Sequence, residues 1–200
     1  MPKTKLKPIE PLHVNDGDEV VCDIPYHANV FVDGGTFTTE QNGCLHNLII
    51  NNGIVTLSGP VDRVDLLDGV LNIKYNAEIK QLNLFGGSAD VSGLVHQLTI
   101  YGPSKEVFLT VEHGSIVDTI RTSESENAIY MELRGGQVKQ IWKGNKEGYL
   151  IVGENCTTEE IVVAAGDITV YGNRPVTIHP GVTVMWAKDE VSDGKTKTNR

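Results

Sequence analysis

The sequence predicts an all-β chain, a single-domain parallel β-solenoid, and three observations carry that prediction. The first is a nine-residue phrase: apolar, two residues, apolar, one residue, apolar, two residues, Gly. It reads Leu45-x-x-Leu48-x-Ile50-x-x-Gly53, Val61-x-x-Val64-x-Leu66-x-x-Gly69 and Ile79-x-x-Leu82-x-Leu84-x-x-Gly87. The second is the alternating stretch that each Gly opens, as in Gly53-Ile-Val55-Thr-Leu57 and Gly69-Val-Leu71-Asn-Ile73. Period-2 alternation in both halves argues β-strand. The third is the period. Gly35, Gly53, Gly69 and Gly87 are 18, 16 and 18 residues apart. About 17 residues is too short for a propeller blade or a helical repeat and suits one solenoid coil. A left-handed hexapeptide solenoid needs a strict six-residue beat. The beat here is uneven, which favours the right-handed form.

Taken in order, residues 1–12 place Pro2, Pro8 and Pro11 among Lys residues and read as a flexible basic arm. Residues 13–34 hold two short apolar runs, Val20-Val21-Cys22 and Val30-Phe31-Val32. They read as N-terminal cap strands, because the end coil of a solenoid otherwise exposes backbone and apolar surface. Residues 35–187 are the solenoid itself. Its recurring Gly marks a corner where φ is positive or the backbone is crowded. The skipped step in apolar-x-x-apolar marks a bend before the next strand. After Val95-x-x-Leu98-x-Ile100 the phrase loosens to Val117-x-x-Ile120 and Val138-x-x-Ile141, with longer steps. Inserts are therefore expected within 102–148, at Gly102–Glu106, Ser123–Asn127 and Lys143–Gly148, and inserts in a solenoid tend to project from one face. Thr158-x-x-Ile161-x-Val163-x-x-Gly166 restores the pattern. Val176-x-Ile178 and Val182-x-Val184-x-Trp186 read as closing strands, and 188–200 as a disordered polar tail. Seven or eight coils are expected, a stack roughly 35 Å long.

Composition bounds the function. The net charge is −9, and residues 13–187 alone hold ten basic and 22 acidic groups, a charge of −12. Such a surface repels phosphate backbones, so direct nucleic-acid binding is not expected. Aromatics are 6% of the chain, which suits a thin aliphatic core better than a ring-walled cavity. The three Cys form no disulfide framework. No apolar run approaches the ~18 residues of a membrane span. No signal peptide is read at the N-terminus, so a cytoplasmic protein, or part of a virion assembled there, is expected.

The repeated phrase, with the pairs Gly34-Gly35 and Gly86-Gly87, resembles the Gly-rich repeats of autotransporter adhesin passengers. The resemblance covers about residues 34–101 and 157–170, and it implies a right-handed β-helix with an adhesive role. A short β-helix between a basic Pro-containing arm and a polar tail is also similar in plan to bactofilin filaments, whose Gly-x-Ile/Val runs are not matched here. Both are likenesses of fold, and function has to be argued from sites.

Stacking the coils in register places outward residues in columns. One column reads His46, Asp62, Lys80, His96, with Asp62 and Lys80 adjacent as an ion pair. The two His would sit three rungs apart, about 14 Å, and cannot share a zinc ion, whose ligands lie ~2 Å away. The next column reads Asn47, Arg63, Gln81, Gln97, then Thr119 and Gln140. Its amides can hydrogen-bond along a ladder, or the strip can bind a glycan or a protein. Asn47, Arg63, Gln81, Gln97 and Gln140 are the candidate interaction residues, together with Trp142 beside an insert, an aromatic of the kind enriched at interfaces. Asp62, Asp65 and Asp68 are the carboxylates a polysaccharide-cleaving enzyme would need, but coils this short leave little cleft. Cys22 with Cys44-x-His46 is too sparse for a metal set. No P-loop, dinucleotide fingerprint, nucleophile elbow or zinc-protease motif is present.

These features predict a non-enzymatic assembly or protein-interaction module without a cofactor. Self-association or a protein partner is expected. A phage or mobile-element origin fits, either as a structural component or as an acidic DNA mimic. The alternatives are a surface adhesin or glycan binder, and a carbohydrate-active enzyme.

Overall fold

The alternation that defines the phrase becomes alternating burial. In the strand Leu45–Leu57, Leu45, Leu48, Ile50, Val55 and Leu57 are fully buried, while His46, Asn51 and Ile54 are exposed. The computed structural model describes residues 10–101, 105–124, 127–172, 176–180, 182 and 184–187. Among these there is no helix; all regular structure is strand, and all strand pairing is parallel. The molecule is a β-solenoid of about 9 turns, with coils about 18 residues apart. At the usual spacing of paired strands the stack is about 43 Å long.

Two ladders run its length. The flat ladder stacks Glu19–Cys22, then the Gly-led strands at 36–39, 54–57, 70–73, 87–91, 107–111, 129–133, 149–152, 167–171 and 184–187. The bent ladder stacks Leu12–Val14 on 30–32, then 45–50, 61–66, 79–84, 94–100, 116–122, 137–143 and 157–163. Long strands such as Leu45–Leu57 and Ile129–Lys143 turn the corner and join the ladders into one sheet. Inside, the side chains stack as columns. One is Val14, Val32, Ile50, Leu66, Leu84 and Ile100, all at 0% exposure. Burying a Val or Leu side chain fully contributes about 1.5–3 kcal/mol, so such columns supply the main driving force for stacking.

The glycine corner is a column as well. Gly69 has φ +92°, and a Cβ there would lie 2.5 Å from the Gly53 carbonyl oxygen. Gly87, with φ +78°, stands in the same relation to Gly69. Both the sign of φ and the closeness of the next coil demand Gly. The repeat thus carries its Gly because each coil rests on the one before it.

Three features differ from the expectations. The register begins at Leu12, and residues 12–22 form a complete parallel coil under 26–39 instead of a separate cap. With closing strands at 177–178 and 184–187, this lengthens the stack beyond eight coils. Second, 143–148 does not project as a loop. Lys143, Gly144 and Asn145 are buried. Lys143 occupies the inward column that runs Ile100, Thr122, Lys143, Val163. Its Nζ donates to the carbonyls of Asn145 (2.7 Å) and Ala165 (3.1 Å). The Thr122 hydroxyl accepts from the backbone N–H of Gly144 (2.8 Å) and Asn145 (3.3 Å) and donates to Asn145 Oδ1 (3.2 Å). The extra residues bring unpaired backbone groups inside, and these polar side chains satisfy them, as buried polar groups require. Third, Thr158 fills an apolar position of the phrase yet is only half-buried. The arm 1–9, the tail 188–200, residues 102–104 of the first insert and 125–126 of the second lie outside the described residues.

Candidate functional site

The skipped step of the phrase leaves two consecutive residues facing outward between two that face inward. Leu45 and Leu48 are buried; His46 and Asn47 between them are not. Repeated coil upon coil, this bend makes a groove along the solenoid axis. A stretch of about 670 Å³ is lined by Asn29, His46, Asn47, Asp62, Arg63, Lys80, Gln81, His96 and Gln97. Gln97, Thr99, Thr119, Arg121 and Gln140 line a further 300 Å³ beyond it. From Asn29 to Gln140 the groove passes seven rungs, about 29 Å.

The first wall is a ladder of charges. His46 Nδ1 lies 2.8 Å from Asp62 Oδ2, and Lys80 Nζ 2.7 Å from Asp62 Oδ1, the ion pair predicted from the register. His96 stands between carboxylates, with Nε2 3.1 Å from Glu78 and Nδ1 2.8 Å from Asp118. Lys139 closes on Asp118 at 2.6 Å. Lys80 holds the Asp62 carboxyl below its ordinary value, with help from His46. Lys139, and after it His96, does the same for Asp118. Asp118 and then Glu78 raise His96. Asp118 and Lys139 were missed in the sequence. Their signal was present, since each is the first residue after the leading Val of a loosened phrase, Val117-x-x-Ile120 and Val138-x-x-Ile141.

The second wall holds the amide column. The register brings Asn47, Arg63, Gln81, Gln97, Thr119 and Gln140 into line. They do not form the continuous amide ladder that stacking allows. Asn47 Nδ2 donates to Asn29 Oδ1 at 3.2 Å. Arg63 turns along its own strand and grips Asp65 through Nε and Nη2, all within 3.1 Å. Gln81 reaches Asn83 at 3.4 Å, and Asn83 donates to Asp65 at 2.6 Å. Arg63 and Gln81 are thus fixed along their own strands, whereas Asn47 bonds to the neighbouring coil. Trp142 is not among the lining residues. It is half-buried, with its ring over Gly144, where a Cβ would come within 2.5 Å of it.

The three acids Asp62, Asp65 and Asp68 do not converge. Asp62 serves Lys80 and His46, Asp65 serves Arg63 and Asn83, and Asp68 pairs with Lys105 and accepts from the Gly69 N–H at 2.8 Å. Cys22 is buried and donates to the Ile24 carbonyl, and burial raises its thiol pKa. Among the described residues no group of three or more His, Cys, Asp or Glu is placed to hold a metal ion, and no helix is long and apolar enough to cross a membrane.

A second exposed feature lies on the flat ladder. One outward row reads Ile54, Val70, Ser88, Phe108, Tyr130, Tyr149. Phe108 stacks on Tyr130 with centroids 4.9 Å apart, and Tyr149 tilts against Tyr130 at 5.2 Å. Such pairs contribute about 0.5–1.5 kcal/mol each. No family model, curated protein or solved structure matches the chain.

Proposed function

We propose that this chain is a non-enzymatic β-solenoid binding module that receives an extended partner along the groove at the coil bend. One observation carries the reading. The main stretch of the groove brings paired charges, Arg63, Lys80, His46, His96 and Asp62, onto one strip with four amides, Asn29, Asn47, Gln81 and Gln97, between them. Convergent polar groups on one concave strip are what a recognition surface provides. The arrangement does not favour hydrolysis. A general acid needs a carboxyl whose pKa is raised, whereas Asp62 and Asp118 are both held low by their cations.

The test is affinity capture from the native host with the wild-type chain and with a Gln81→Ala, Gln97→Ala double variant. The variant is expected to lose the captured partner while its unfolding midpoint is unchanged. A partner retained in full by the variant places binding elsewhere, with the flat-ladder aromatics Phe108, Tyr130 and Tyr149 as the next surface to alter.

A further inference from the structure

We propose that the outer face of the flat ladder is the interface of a symmetric dimer, covered by a second copy of this chain whose solenoid axis runs antiparallel to the first. The inference concerns a different surface from the groove and does not depend on it.

The face presents two outward positions on each strand. One row is the run from Ile54 to Tyr149 that carries the stacked rings. The second row lies two residues further along each strand. It crosses ten rungs from Val21 to Met185, by way of Asn72, Asp90, Thr110 and Glu132. Val21, Ile54, Phe108 and Met185 are 45–57% exposed. Single apolar residues on a surface are ordinary, whereas apolar rows in register mark an interaction face. The backbone of the inner strands is spent on the neighbouring coils, so a partner packs face on.

Area and pairing together point to a second copy. Ten rungs span about 43 Å and four-residue strands about 13 Å, a footprint of about 560 Å². Two such footprints amount to about 1,100 Å² before side-chain relief is counted, enough for a specific interface. Consider a two-fold axis between the faces, parallel to the strands and midway between the rungs of Ser88 and Phe108. This position overlaps all ten rungs. It sets Val21 over the second copy's Met185, Ile54 over its Tyr149 and Val70 over its Tyr130, and symmetry makes each contact twice. Phe108 meets Ser88, the small residue of its row. Asp90 meets Thr110, Glu132 meets Asn72 and Asp167 meets Thr36, and each of these partners can donate a hydrogen bond. Moving the axis half a rung either way puts Asp90 on Asp90 or on Glu132, a like-charge contact that costs affinity. Setting the two solenoid axes parallel instead puts Val70 on Asn72, Phe108 on Thr110 and Tyr130 on Glu132, apolar against polar. The antiparallel pairing is isologous, so it closes at two copies.

The experiment is sedimentation equilibrium of the full chain and its variants up to about 100 µM. Wild type should sediment with twice the chain mass. Val70→Glu should weaken dimerisation about 100-fold or more, since the two-fold buries its unpaired carboxylate twice, with an unchanged unfolding midpoint. Tyr130→Lys alone should also be monomeric. Combining Val70→Glu with Tyr130→Lys should restore dimerisation to within about tenfold of wild type, because each new carboxylate then faces a new ammonium on the other copy. Within one chain the two positions are three rungs, about 14 Å, apart, too far to pair. Both Lys variants lose the same ring stacking, so the comparison between them holds. The groove variant Gln81→Ala, Gln97→Ala should dimerise like wild type. A monomer throughout the concentration range overturns the proposal, as does a dimer that Val70→Glu leaves intact or a mass that grows past two copies. A dimer lost in Val70→Glu and not restored by Tyr130→Lys overturns the antiparallel pairing. None of these failures touches the groove, whose test is partner capture.

Discussion

Lys143 is the residue that departs furthest from its surroundings. It sits in an inward column of aliphatic side chains, fully buried, and burial lowers its pKa from 10.5 to about 8. Asp167 and Glu147 offset only part of that. Two carbonyls accept its N–H groups, which explains why a lysine is tolerated there. The sign of the linkage follows from the shift. Below about pH 8 the folded and unfolded chains both hold the proton. Between about 8 and 10.5 the unfolded chain holds it and the folded chain does not, so stability rises with pH in that window. The gain is on the order of 3 kcal/mol. Titrating the other Lys and Tyr residues adds its own slope, so the measurement is a difference. Urea unfolding of wild type and Lys143→Met, compared from pH 7 to 10.5, should show wild type gaining stability relative to the variant as pH rises. Parallel curves would mean that Lys143 reaches water. The phrase marks the position, since Val138-x-x-Ile141-x-Lys143 puts this lysine at the third apolar place, but residue type argues against its burial. Lys on a strand ordinarily faces out.

At the scale of the element, the coil was legible because one local rule repeats. The apolar positions Leu45, Leu48 and Ile50, the bend between the first two and the Gly at the corner are properties of nine residues, and the structure places each as the pattern requires. The columns that wall the groove follow from the same rule, which is why Asn47, Arg63, Gln81 and Gln97 could be aligned from sequence. Their hydrogen bonds could not. Arg63 pairs with Asp65 along its own strand, and whether a long side chain turns along the strand or across to the next coil is set by rotamers, not by spacing. The 143–148 stretch was misjudged for a related reason. Excess length signals an insert, but whether it projects or folds inward depends on partners such as Thr122, 23 residues away from Asn145. The glycine corner gives the sharpest test of the coil rule. Gly69→Ala forces a Cβ to within 2.5 Å of the Gly53 carbonyl at a φ of +92°. Either fault alone costs about 1–3 kcal/mol. The variant should lose at least ~2 kcal/mol in urea unfolding, whereas Gly114→Ala, where φ is also positive but nothing lies within 4 Å of the added Cβ, should lose less. Equal losses would show that crowding between coils contributes nothing.

For the whole molecule, the stack is a one-dimensional array in which each coil touches mainly its two neighbours. Stability in such an array is approximately a sum of coil and interface terms, and it breaks where an interface is weak. The aliphatic column is continuous from Val14 to Ile100 and resumes at Val163, but between them stand Thr122 and Lys143. Hydrogen bonds there replace aliphatic contacts that would contribute about 1.5–3 kcal/mol per buried side chain, and a hydrogen bond's net contribution is only about 1 kcal/mol. The array should therefore split at this polar plug into two cooperative units. Native-state hydrogen exchange should give one opening free energy for amides of the strands between Tyr26 and Val91. A lower one is expected for the strands Ile129–Lys143 and Gly148–Val163, with the step falling across Ile116–Thr122. Lys143→Met should widen that gap at neutral pH, because it leaves the Asn145 and Ala165 carbonyls without their donor. A single opening energy throughout, unchanged by the substitution, would show that the plug couples the two halves as tightly as the aliphatic columns do.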